Sequence, residues 1–362
     1  MTDILPLPPG STVGIIGGGQ LGRMLCQAAA QLGLNTLVLD PDETGPAAQI
    51  CTRFIAGAYD DRQALQELAD RSDVVTFEFE NVPVEAIKDL QEKIPVRPNA
   101  RALELSQDRL IEKTFLNEIG LSTAPFTNIE SCGELEKAIA EIGTPSLLKT
   151  RRFGYDGKGQ VRIDGIGAAS DAHNEIGHAP AILEAMIPFE REVSVIAVRG
   201  LYGEIVNYDV VENHHRSGIL HTSTVPADIS TETAEAAKTI ARTLITALDY
   251  VGVLAVELFQ TGSTLLVNEF APRVHNSGHW TLDACAISQF ENHIRAICGW
   301  PLGAADRHSD ALMTNLIGRE VDRWEALAQQ PSTALHLYGK AEARPGRKMG
   351  HVTQIAPRTG SV

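Results

Sequence analysis

The chain has 362 residues, of which 43% are hydrophobic and 21% charged, and its formal net charge is −15 at pH 7. This length and composition predict a globular protein of two or three domains, and the acidic balance argues against nucleic acid or an anionic membrane as partner. The 5 cysteines never show the spacing C-x-x-C, which argues against a disulfide framework or a zinc site. The opening segment "MTDILPLPPG" lacks the features of a signal peptide, and no run approaches the length of a membrane span. We therefore expect a cytoplasmic protein.

The N-terminal segment predicts an open, largely parallel α/β sheet. The strand "TVGII", a glycine turn, an alanine-rich helix ending at Gly33 and the strand "TLVLD" form a βαβ unit, and "SDVVTFEFENVP" adds a buried strand. The turn has the glycine spacing G-x-G-x-x-G, and amides at such a helix start attract phosphate. It fits a dinucleotide, a mononucleotide or sugar phosphate, or simple close packing. Ligands of such sheets gather at the carboxyl ends of strands, which are the positions of Gln20, Glu78 and Asn81.

The middle of the chain predicts a small α+β lid. The helix "SQDRLIEKTFLNEIG" is expected to begin at a capping Ser106 and to end at Gly120. A second helix and the strand "SLLKT" lead to the loop "RRFGYDGKGQ", which is followed by the strand "AILEAMI". Three glycines among cations can lay backbone amides over an anion, with Lys149 on the strand before them. The alternative is a charged hairpin turn.

From residue 189 onward strands and helices mix, and "ELFQTGSTLLVNEF" predicts a hairpin with Glu257 and Glu269 on its two strands. An odd-numbered loop would place both carboxylates on one face, whereas a two-residue loop would place them on opposite faces. On one face the two carboxylates would repel each other unless a divalent cation lay between them. Oxygen ligands without a nearby cysteine favour Mg²⁺ over zinc. The alternative is a solvated carboxylate pair on an exposed face.

Two further segments concentrate polar and basic side chains. The segment "APRVHNSGHW" contains Arg273, His275, Asn276 and His279. Because arginine binds a planar oxyanion in bidentate fashion and histidine can donate or relay a proton, we favour an oxyanion site over a structural cluster. The segment "YGKAEARPGRKMGHV" is a basic turn in an acidic chain, and it predicts either a second phosphate site or a solvated charged turn.

The order of Lys113, Lys149, the glycine loop, "LEAMI" and the glutamate pair resembles the ATP-grasp superfamily over nearly the whole chain. More specifically, "GGGQLGRM", "FEFENVP", "RRFGYDGKGQ", "NEFAPRVHNSGHWT" and "RPGRKMGHV" resemble the N5-carboxyaminoimidazole ribonucleotide synthetases of de novo purine biosynthesis. Phe153 stands where relatives often have a smaller residue. The resemblance implies an ATP-grasp architecture with a Rossmann-like α/β domain at 1–100, an α+β lid at 101–188 and a C-terminal α+β domain at 189–362.

The resemblance also implies an ATP- and bicarbonate-dependent ligase. ATP would phosphorylate bicarbonate, and the carboxyphosphate, or CO2 released from it, would carboxylate the exocyclic amine of 5-aminoimidazole ribonucleotide. ADP and phosphate would be the other products. Either His275 or the departing phosphate would take the proton of the amine. Family members commonly form dimers, so a homodimer is implied as well.

The resemblance assigns individual residues to these ligands. Mg²⁺ would be bound by Glu257 and Glu269, and bicarbonate and then carboxyphosphate by Arg273, His275 and Asn276. ATP would be bound by Lys113, Lys149, Gly154, Asp156, Gly157, Lys158, Gly159, Gln160, Glu184, Ile187, Glu192, His215 and Asn268. Of these, Glu184 and Ile187 would lie at the adenine and Glu192 at the ribose, while His215 is either a neighbour of the phosphates or an exposed histidine in a polar loop. The ribonucleotide would be bound by Gln20, Leu21, Glu78, Tyr155, Lys340, Arg347 and Lys348.

Other interpretations explain less of the sequence. An NAD-linked oxidoreductase accounts for residues 13–40 only and leaves the glycine loop and the glutamate pair without a role. A different ATP-grasp ligase, such as a formate-dependent glycinamide ribonucleotide transformylase or a biotin carboxylase, does not account for "HNSGHW" or the basic turn. A catalytically inactive regulatory module is disfavoured because every expected charged position is filled.

Overall fold

The computed structural model describes residues 6–154 and 157–359, which form three β-sheets with helices packed around them. The strands are β1 (Thr12–Ile16), β2 (Asn35–Asp40), β3 (Arg53–Ala56), β4 (Val74–Phe77), β5 (Phe126–Ile129), β6 (Ser146–Thr150), β7 (Gln160–Ile163), β8 (Ala181–Ala185), β9 (Arg191–Arg199), β10 (Ile205–Asn207), β11 (Val211–Arg216), β12 (Ile219–Val225), β13 (Gly252–Thr261), β14 (Thr264–Ala271), β15 (Ser309–Ile317), β16 (Thr333–Leu337) and β17 (Lys348–Pro357). The α-helices are α1 (Gln20–Gln31), α2 (Arg62–Asp70), α3 (Val84–Gln91), α4 (Ala100–Ser106), α5 (Arg109–Glu118), α6 (Cys132–Ile142), α7 (Ala169–Glu175), α8 (Thr231–Ala247), α9 (Thr281–Ala284), α10 (Gln289–Ile297) and α11 (Trp324–Ala328).

The first sheet is the parallel α/β sheet that the N-terminal segment predicts. Its order is β3-β2-β1-β4, and every neighbouring pair of strands is parallel. Gly33 has a φ of +72° just after α1, as expected of a helix-ending glycine. Strand β3 was not predicted, because its apolar residues, 54 to 56, form a run of only three. The carboxyl ends of β1, β2 and β4 meet at one edge, which places Gly17, Asp40 and Glu78 side by side.

The second sheet is antiparallel with the order β5-β8-β6-β7, and it contains the predicted strands around "SLLKT" and "AILEAMI". The glycine loop joins β6 to β7, so it is the connection of a hairpin. The expected helix start at Ser106 is wrong, because Ser106 ends α4 and the next helix begins after Asp108. The Asp108 carboxylate accepts a hydrogen bond from the amide of Leu110 at 3.0 Å and thereby caps α5.

The third sheet has nine strands and is antiparallel, in the order β14-β13-β9-β11-β12-β15-β17-β16 with β10 beside β9. Helix α8 packs on one face and α10 on the other. Leu25 of α1 belongs to the same buried apolar cluster as Phe290 and Ile294 of α10. This shared core fixes the first sheet against the third. Within the described ranges, no helix combines the length and hydrophobicity that crossing a bilayer requires.

A buried histidine also links the first sheet to the third. His293 Nδ1 accepts a hydrogen bond from the amide of Val253 at 3.1 Å, and its Nε2 lies 2.8 Å from Thr76 Oγ1. Because an amide only donates, the ring proton of His293 lies on Nε2 and is donated to Thr76. Burial lowers the pKa of His293 from 6.5 to about 3.

We expect the free energy of unfolding to decrease as the pH falls from 6.5 towards 3, because His293 takes up a proton in the unfolded chain but not in the folded one. This single group accounts for a loss of about 2 kcal/mol near pH 5. Urea unfolding at neutral and acidic pH should show a weaker pH dependence in His293→Gln than in the wild type. The exposed His214 provides a matched control, His214→Gln. Equal pH dependence in all three proteins would contradict this account.

Candidate active site

Two glutamates face each other on the β13–β14 hairpin. Glu257 pairs directly with Glu269, so both side chains leave the same face of the sheet. The loop between the strands has two residues, 262 and 263, and is not the odd-numbered loop that a shared face was expected to need. A β-bulge supplies the missing shift, because Leu258 pairs with Val267 and Asn268 is the extra residue of β14.

Each of the two carboxylates has a partner. Arg109 Nη1 lies 2.9 Å from Glu269 Oε2, and His275 Nε2 lies 3.1 Å from Glu257 Oε1. Burial alone would raise the pKa of Glu269, but the charge and hydrogen bond of Arg109, together with the charges of Lys149 and Lys113, lower that pKa. Asn268 Oδ1 is buried and has no hydrogen-bond partner among the described residues. Two opposed carboxylates beside an unused amide oxygen fit a hard divalent cation such as Mg²⁺.

Two buried lysines share one buried glutamate next to this hairpin. The Nζ atoms of Lys113 and Lys149 lie 3.4 and 3.0 Å from Glu184 Oε2. Lys113 also donates to the backbone oxygen of Asn268 at 3.0 Å, which ties α5 to the bulge. Burial alone would raise the pKa of Glu184, but the two lysines lower it. Two cations with one anion leave an excess of positive charge that suits a phosphate group.

The glycine loop begins beside this cluster. A Cβ added to Gly154 would lie 3.8 Å from Nη2 of Arg109, the arginine that contacts Glu269. Gly157 and Gly159 have φ values of +77° and +70°, which favour glycine. A Cβ on Gly159 would also lie 2.6 Å from Thr150 Oγ1. The loop therefore needs these glycines to reach its position next to the carboxylate pair.

The other residues expected at a nucleotide flank the same sheet. Glu192 on β9 contacts His215 Nδ1 on β11, and both line a cavity of about 190 Å³. Burial alone would lower the pKa of His215, but Glu192 outweighs burial and raises it. His215 belongs to strand β11 and does not lie in the polar loop that the alternative interpretation expected. Ile187 follows β8, Lys158 and Gln160 are exposed, and Tyr155 and Asp156 lie outside the described residues.

Buried amides fix the segment that follows β14. Gln289 accepts from the amide of His275 at 2.9 Å through Oε1 and donates to its carbonyl at 2.6 Å through Nε2. Asn276 and Asn315 exchange two hydrogen bonds, at 3.0 and 2.6 Å. The side-chain amide of Asn276 is therefore engaged within the protein. The backbone of His275 is held from both sides, with its imidazole directed at Glu257.

The N-terminal glycine turn binds two carboxylates of its own sheet. The amides of Gly18 and Gly19 donate to Asp40 Oδ2 and Glu78 Oε1, each at 2.6 Å. The amides of Gly18 and Gly19 are therefore engaged inside the protein. A Cβ on Gly19 would lie 2.7 Å from Glu78 Oε1, which explains one of the glycines by close packing. Asp40 also accepts from Tyr59 at 2.6 Å, so its carboxylate is occupied inside the sheet and does not resemble a ribose ligand.

The basic C-terminal turn faces this glycine turn. Burial and the charge of Arg347 lower the pKa of Lys340 to about 8, and Glu78 is close enough to act in the opposite direction. Lys340 Nζ donates to the carbonyl of Lys348 at 2.7 Å. Gln49 Nε2 donates to Gly339 at 2.8 Å and so joins the first sheet to this turn. Cations that lower each other's pKa lie close together with an excess of positive charge, and such a cluster suits an anion.

Glu78 lies between these groups. Burial raises the pKa of Glu78, while the amide of Gly19 and the charges of Arg273 and Lys340 oppose that shift. Arg273 Nη2 lies 2.9 Å from Glu80 Oε1 and so links the loop after β14 to the first sheet. Gln20 and Leu21 begin α1 at the same edge. The region between the carboxylate pair and the basic C-terminal turn, which Arg273 and His275 border, is the candidate cleft.

Three family models match successive parts of the chain. The ribonucleotide synthetase preATP-grasp domain matches residues 11–107, the ATP-grasp domain 114–290 and the phosphoribosylaminoimidazole carboxylase C-terminal domain 311–362. The chain is 57% identical to the N5-carboxyaminoimidazole ribonucleotide synthase of Brucella melitensis, over 99% of both proteins. The chain belongs to the N5-carboxyaminoimidazole ribonucleotide synthase family. It is an ATP-grasp ligase.

Solved structures of N5-carboxyaminoimidazole ribonucleotide synthases confirm the predicted ATP-grasp fold. An ADP complex of one such synthetase matches with a TM-score of 0.95 and 43% identity, over 98% of this chain and 94% of that one. The synthase of Aspergillus clavatus, in complex with ADP and 5-aminoimidazole ribonucleotide, matches with a TM-score of 0.90 and 32% identity, over 96% and 94%.

Sequence reasoning missed several residues of this N5-carboxyaminoimidazole ribonucleotide synthase site. Arg109 could have been predicted as a site residue, because it lies four residues before Lys113 and so on the same face of a helix. Glu80 lies in a quoted motif but gave no sign of its contact with Arg273. Gln289 had no local signal, since its role depends on where α10 meets the loop after β14.

Proposed function

We propose that the protein carboxylates the exocyclic amine of 5-aminoimidazole ribonucleotide to N5-carboxyaminoimidazole ribonucleotide, with ATP and bicarbonate as co-substrates. The observation that carries this proposal is the position of Arg273 and His275, whose contacts link a group of cations beside the glutamate pair to a second group beside Glu78. One group contains Lys113 and Lys149, and the other contains Lys340. This arrangement fits a reaction in which a nucleotide phosphorylates a small oxyanion and the activated group is then transferred to a phosphorylated acceptor.

The first chemical step activates bicarbonate. Hydroxide is a poor leaving group, so a bicarbonate oxygen attacks the γ-phosphorus of ATP and ADP leaves, which gives carboxyphosphate. Lys113 and Lys149 bind the ATP phosphates and stabilise the charge on the transferring group. Arg273 and His275 bind the bicarbonate, and Asn276 orients it through the loop that Asn315 holds. Glu192 binds the ribose of ATP, His215 beside it is a neighbour of the phosphates, and Glu184 and Ile187 lie at the adenine.

The second step transfers the carboxyl group. The amine nitrogen attacks the carbon of carboxyphosphate, or of CO2 released from it, and phosphate leaves with the electron pair of the broken bond. Lys340, Arg347 and Lys348 hold the phosphate of the ribonucleotide, with Tyr155, Gln20 and Leu21 beside it. Glu78 lies near its imidazole or ribose. The glycine loop with Asp156 closes over the site and excludes water, because carboxyphosphate hydrolyses readily.

We propose Mg²⁺ as the metal, held by Glu257 and Glu269 with Asn268 beside them. Its charge, when bound, offsets that of the ATP phosphates during transfer. The opposed carboxylates and the unpartnered oxygen of Asn268 support this assignment. The cationic partners Arg109 and His275 balance the same two carboxylates from the protein side.

The choice of acceptor tests the proposed function. ADP release in bicarbonate buffer should be stimulated by 5-aminoimidazole ribonucleotide, and not by glycinamide ribonucleotide with formate or by biotin. Stimulation by one of the latter would assign a different ATP-grasp ligase. Saturable NADH binding at micromolar concentration would revive the oxidoreductase interpretation, which the engaged Asp40 does not support.

We also propose that the enzyme is a cytoplasmic homodimer with domains at 1–100, 101–188 and 189–362. Family membership supports the dimer, and sedimentation equilibrium would test it. A monomer across the whole concentration range would contradict it.

Replacing Gly159 by alanine should uncouple the two steps. Gly159 has a left-handed backbone, which an added Cβ disfavours, and that Cβ would lie 2.6 Å from Thr150 Oγ1, so the loop cannot keep its position. We expect kcat to fall about 10-fold and ADP to exceed carboxylated product, because an open loop admits water. Gly165→Ala is a matched control, since its Cβ would meet no atom within 4 Å among the described residues. Tight coupling in Gly159→Ala would contradict a role for the loop in excluding water.

A further inference from the structure

A buried chain of hydrogen bonds runs from the interior of the large sheet to His275. Ser223 Oγ donates to Asn213 Oδ1 at 2.7 Å, and Asn213 Nδ2 donates to Ser194 Oγ at 2.9 Å. Ser194 Oγ donates to Ser277 Oγ at 2.8 Å, and Ser277 Oγ lies 2.9 Å from His275 Nδ1. The three serines are 0% exposed and Asn213 is 5% exposed. Water therefore does not compete for these contacts.

The direction of this chain is fixed at both ends. The backbone amide of Ser277 points at His275 Nδ1 at 3.3 Å, and an amide can only donate. At the other end, Ser194 Oγ accepts a hydrogen bond from Asn213, so its own hydroxyl hydrogen is available to donate to Ser277. Ser277 then donates to His275. Two donors converge on Nδ1, so this nitrogen is an acceptor and the ring proton lies on Nε2.

The opposite side of the ring agrees with this assignment. His275 Nε2 lies 3.1 Å from Glu257 Oε1, and Nε2–H donates to that carboxylate. A carboxylate has acceptor capacity for both a metal ion and a hydrogen bond, and ligating carboxylates are commonly oriented by such bonds. His275 therefore turns its donor, not its acceptor, towards the cleft.

We propose that Ser277, supported by Ser194 and Asn213, is a positioning residue that holds His275 as a fixed hydrogen-bond donor. The consequence for the reaction rests on the proposed function. The one N–H of His275, on Nε2, is shared between Glu257 and an oxygen at the bicarbonate site, so His275 acts as a donor and does not take the proton of the attacking amine. The phosphate that leaves carboxyphosphate with the electron pair of the broken C–O bond takes that proton and becomes hydrogen phosphate.

The tautomer of His275 tests this inference without any substrate. The full chain is labelled with ¹⁵N-histidine, and the His275 signals are assigned by their loss in His275→Gln. Long-range ¹H–¹⁵N correlation should show an N–H nitrogen at Nε2 and an acceptor nitrogen at Nδ1. A proton on Nδ1 would overturn the inference. Failure of 5-aminoimidazole ribonucleotide to stimulate ADP release would instead overturn the proposed function, so the two failures are distinguishable.

Two variants test the series of hydrogen bonds that leads to the imidazole ring of His275. Ser277→Ala leaves only the longer backbone hydrogen bond on Nδ1, so it should raise the fraction of the Nδ1–H tautomer above that of the wild type. It should also lower kcat about 10-fold, the effect of one lost buried hydrogen bond, with KM for ATP unchanged. Asn213→Asp removes the donor to Ser194 and reverses the chain, so it should shift the tautomer in the same direction. Ser146→Ala, which also truncates a buried serine but on the lid sheet, is the control and should change neither property. Retention of the Nε2–H tautomer in both test variants would overturn the role of the chain.

Discussion

Glu269→Gln is expected to slow turnover at least about 100-fold while leaving the fold intact. The substitution keeps the shape of the side chain but removes the charge that a metal ion and Arg109 share. It also leaves the guanidinium of Arg109 beside the phosphate site without its partner. Glu257→Gln should have an effect of the same size, because the two carboxylates face each other on one hairpin. Steady-state ADP formation at saturating substrates and a Mg²⁺ titration measure the effect.

The control for these variants is Glu118→Gln, an exposed glutamate at the end of α5. It should retain wild-type turnover, and circular dichroism should show the same fold for all three variants. Wild-type turnover in Glu257→Gln or Glu269→Gln would mean that the metal is bound elsewhere. A Mg²⁺ requirement that does not change in either variant would lead to the same conclusion.

Lys340→Met should lower kcat/KM for 5-aminoimidazole ribonucleotide at least about 100-fold and leave KM for ATP within about twofold, because it removes a half-buried charge from only one end of the cleft. The wild type should also lose kcat/KM for this substrate as the pH rises through about 8. Lysine is charged below its pKa, and burial with Arg347 lowers the pKa of Lys340 to about 8. The phosphate of the substrate thus loses a cationic partner above that pH.

Two observations separate this account from a general effect of charge. Lys137→Met, on the exposed side of the lid helix α6, removes the same charge and should change neither parameter. The decline above about pH 8 should be absent from Lys340→Met. An equal rise in KM for both substrates would show that Lys340 stabilises the fold around the cleft and does not bind the ribonucleotide specifically.

The sequence was sufficient where local pattern decides the structure. The strands β1, β6 and β8 and the helices α1 and α6 follow from apolar runs bounded by glycines, and the structure has them at the expected places. The α5 start was wrong because two capping residues, Ser106 and Asp108, lie close together and only the second meets a free amide. Sequence pattern identifies possible caps but does not choose between neighbours.

The sequence was insufficient where the structure depends on contacts between distant segments. A count of loop residues leaves open whether Glu257 and Glu269 share a face, because the answer depends on the bulge at Asn268. The glycine spacing left open whether the turn binds a phosphate or serves close packing, and it gave no sign that Asp40 and Glu78 reach the amides of Gly18 and Gly19 from other strands. The hydrogen bonds of Gln289 and Ser277 to His275 likewise require the packed sheet and helix.

The central claim is that ATP activates bicarbonate for transfer to the amine of the ribonucleotide, and isotope transfer tests it most directly. The enzyme is given ¹⁸O-bicarbonate, ATP and 5-aminoimidazole ribonucleotide, in assays short enough to limit exchange of the label with water. Because a bicarbonate oxygen attacks the γ-phosphorus and stays with it, each phosphate released should carry one labelled oxygen, and its release should depend on the ribonucleotide. Unlabelled phosphate, or phosphate release that the ribonucleotide does not affect, would contradict the account.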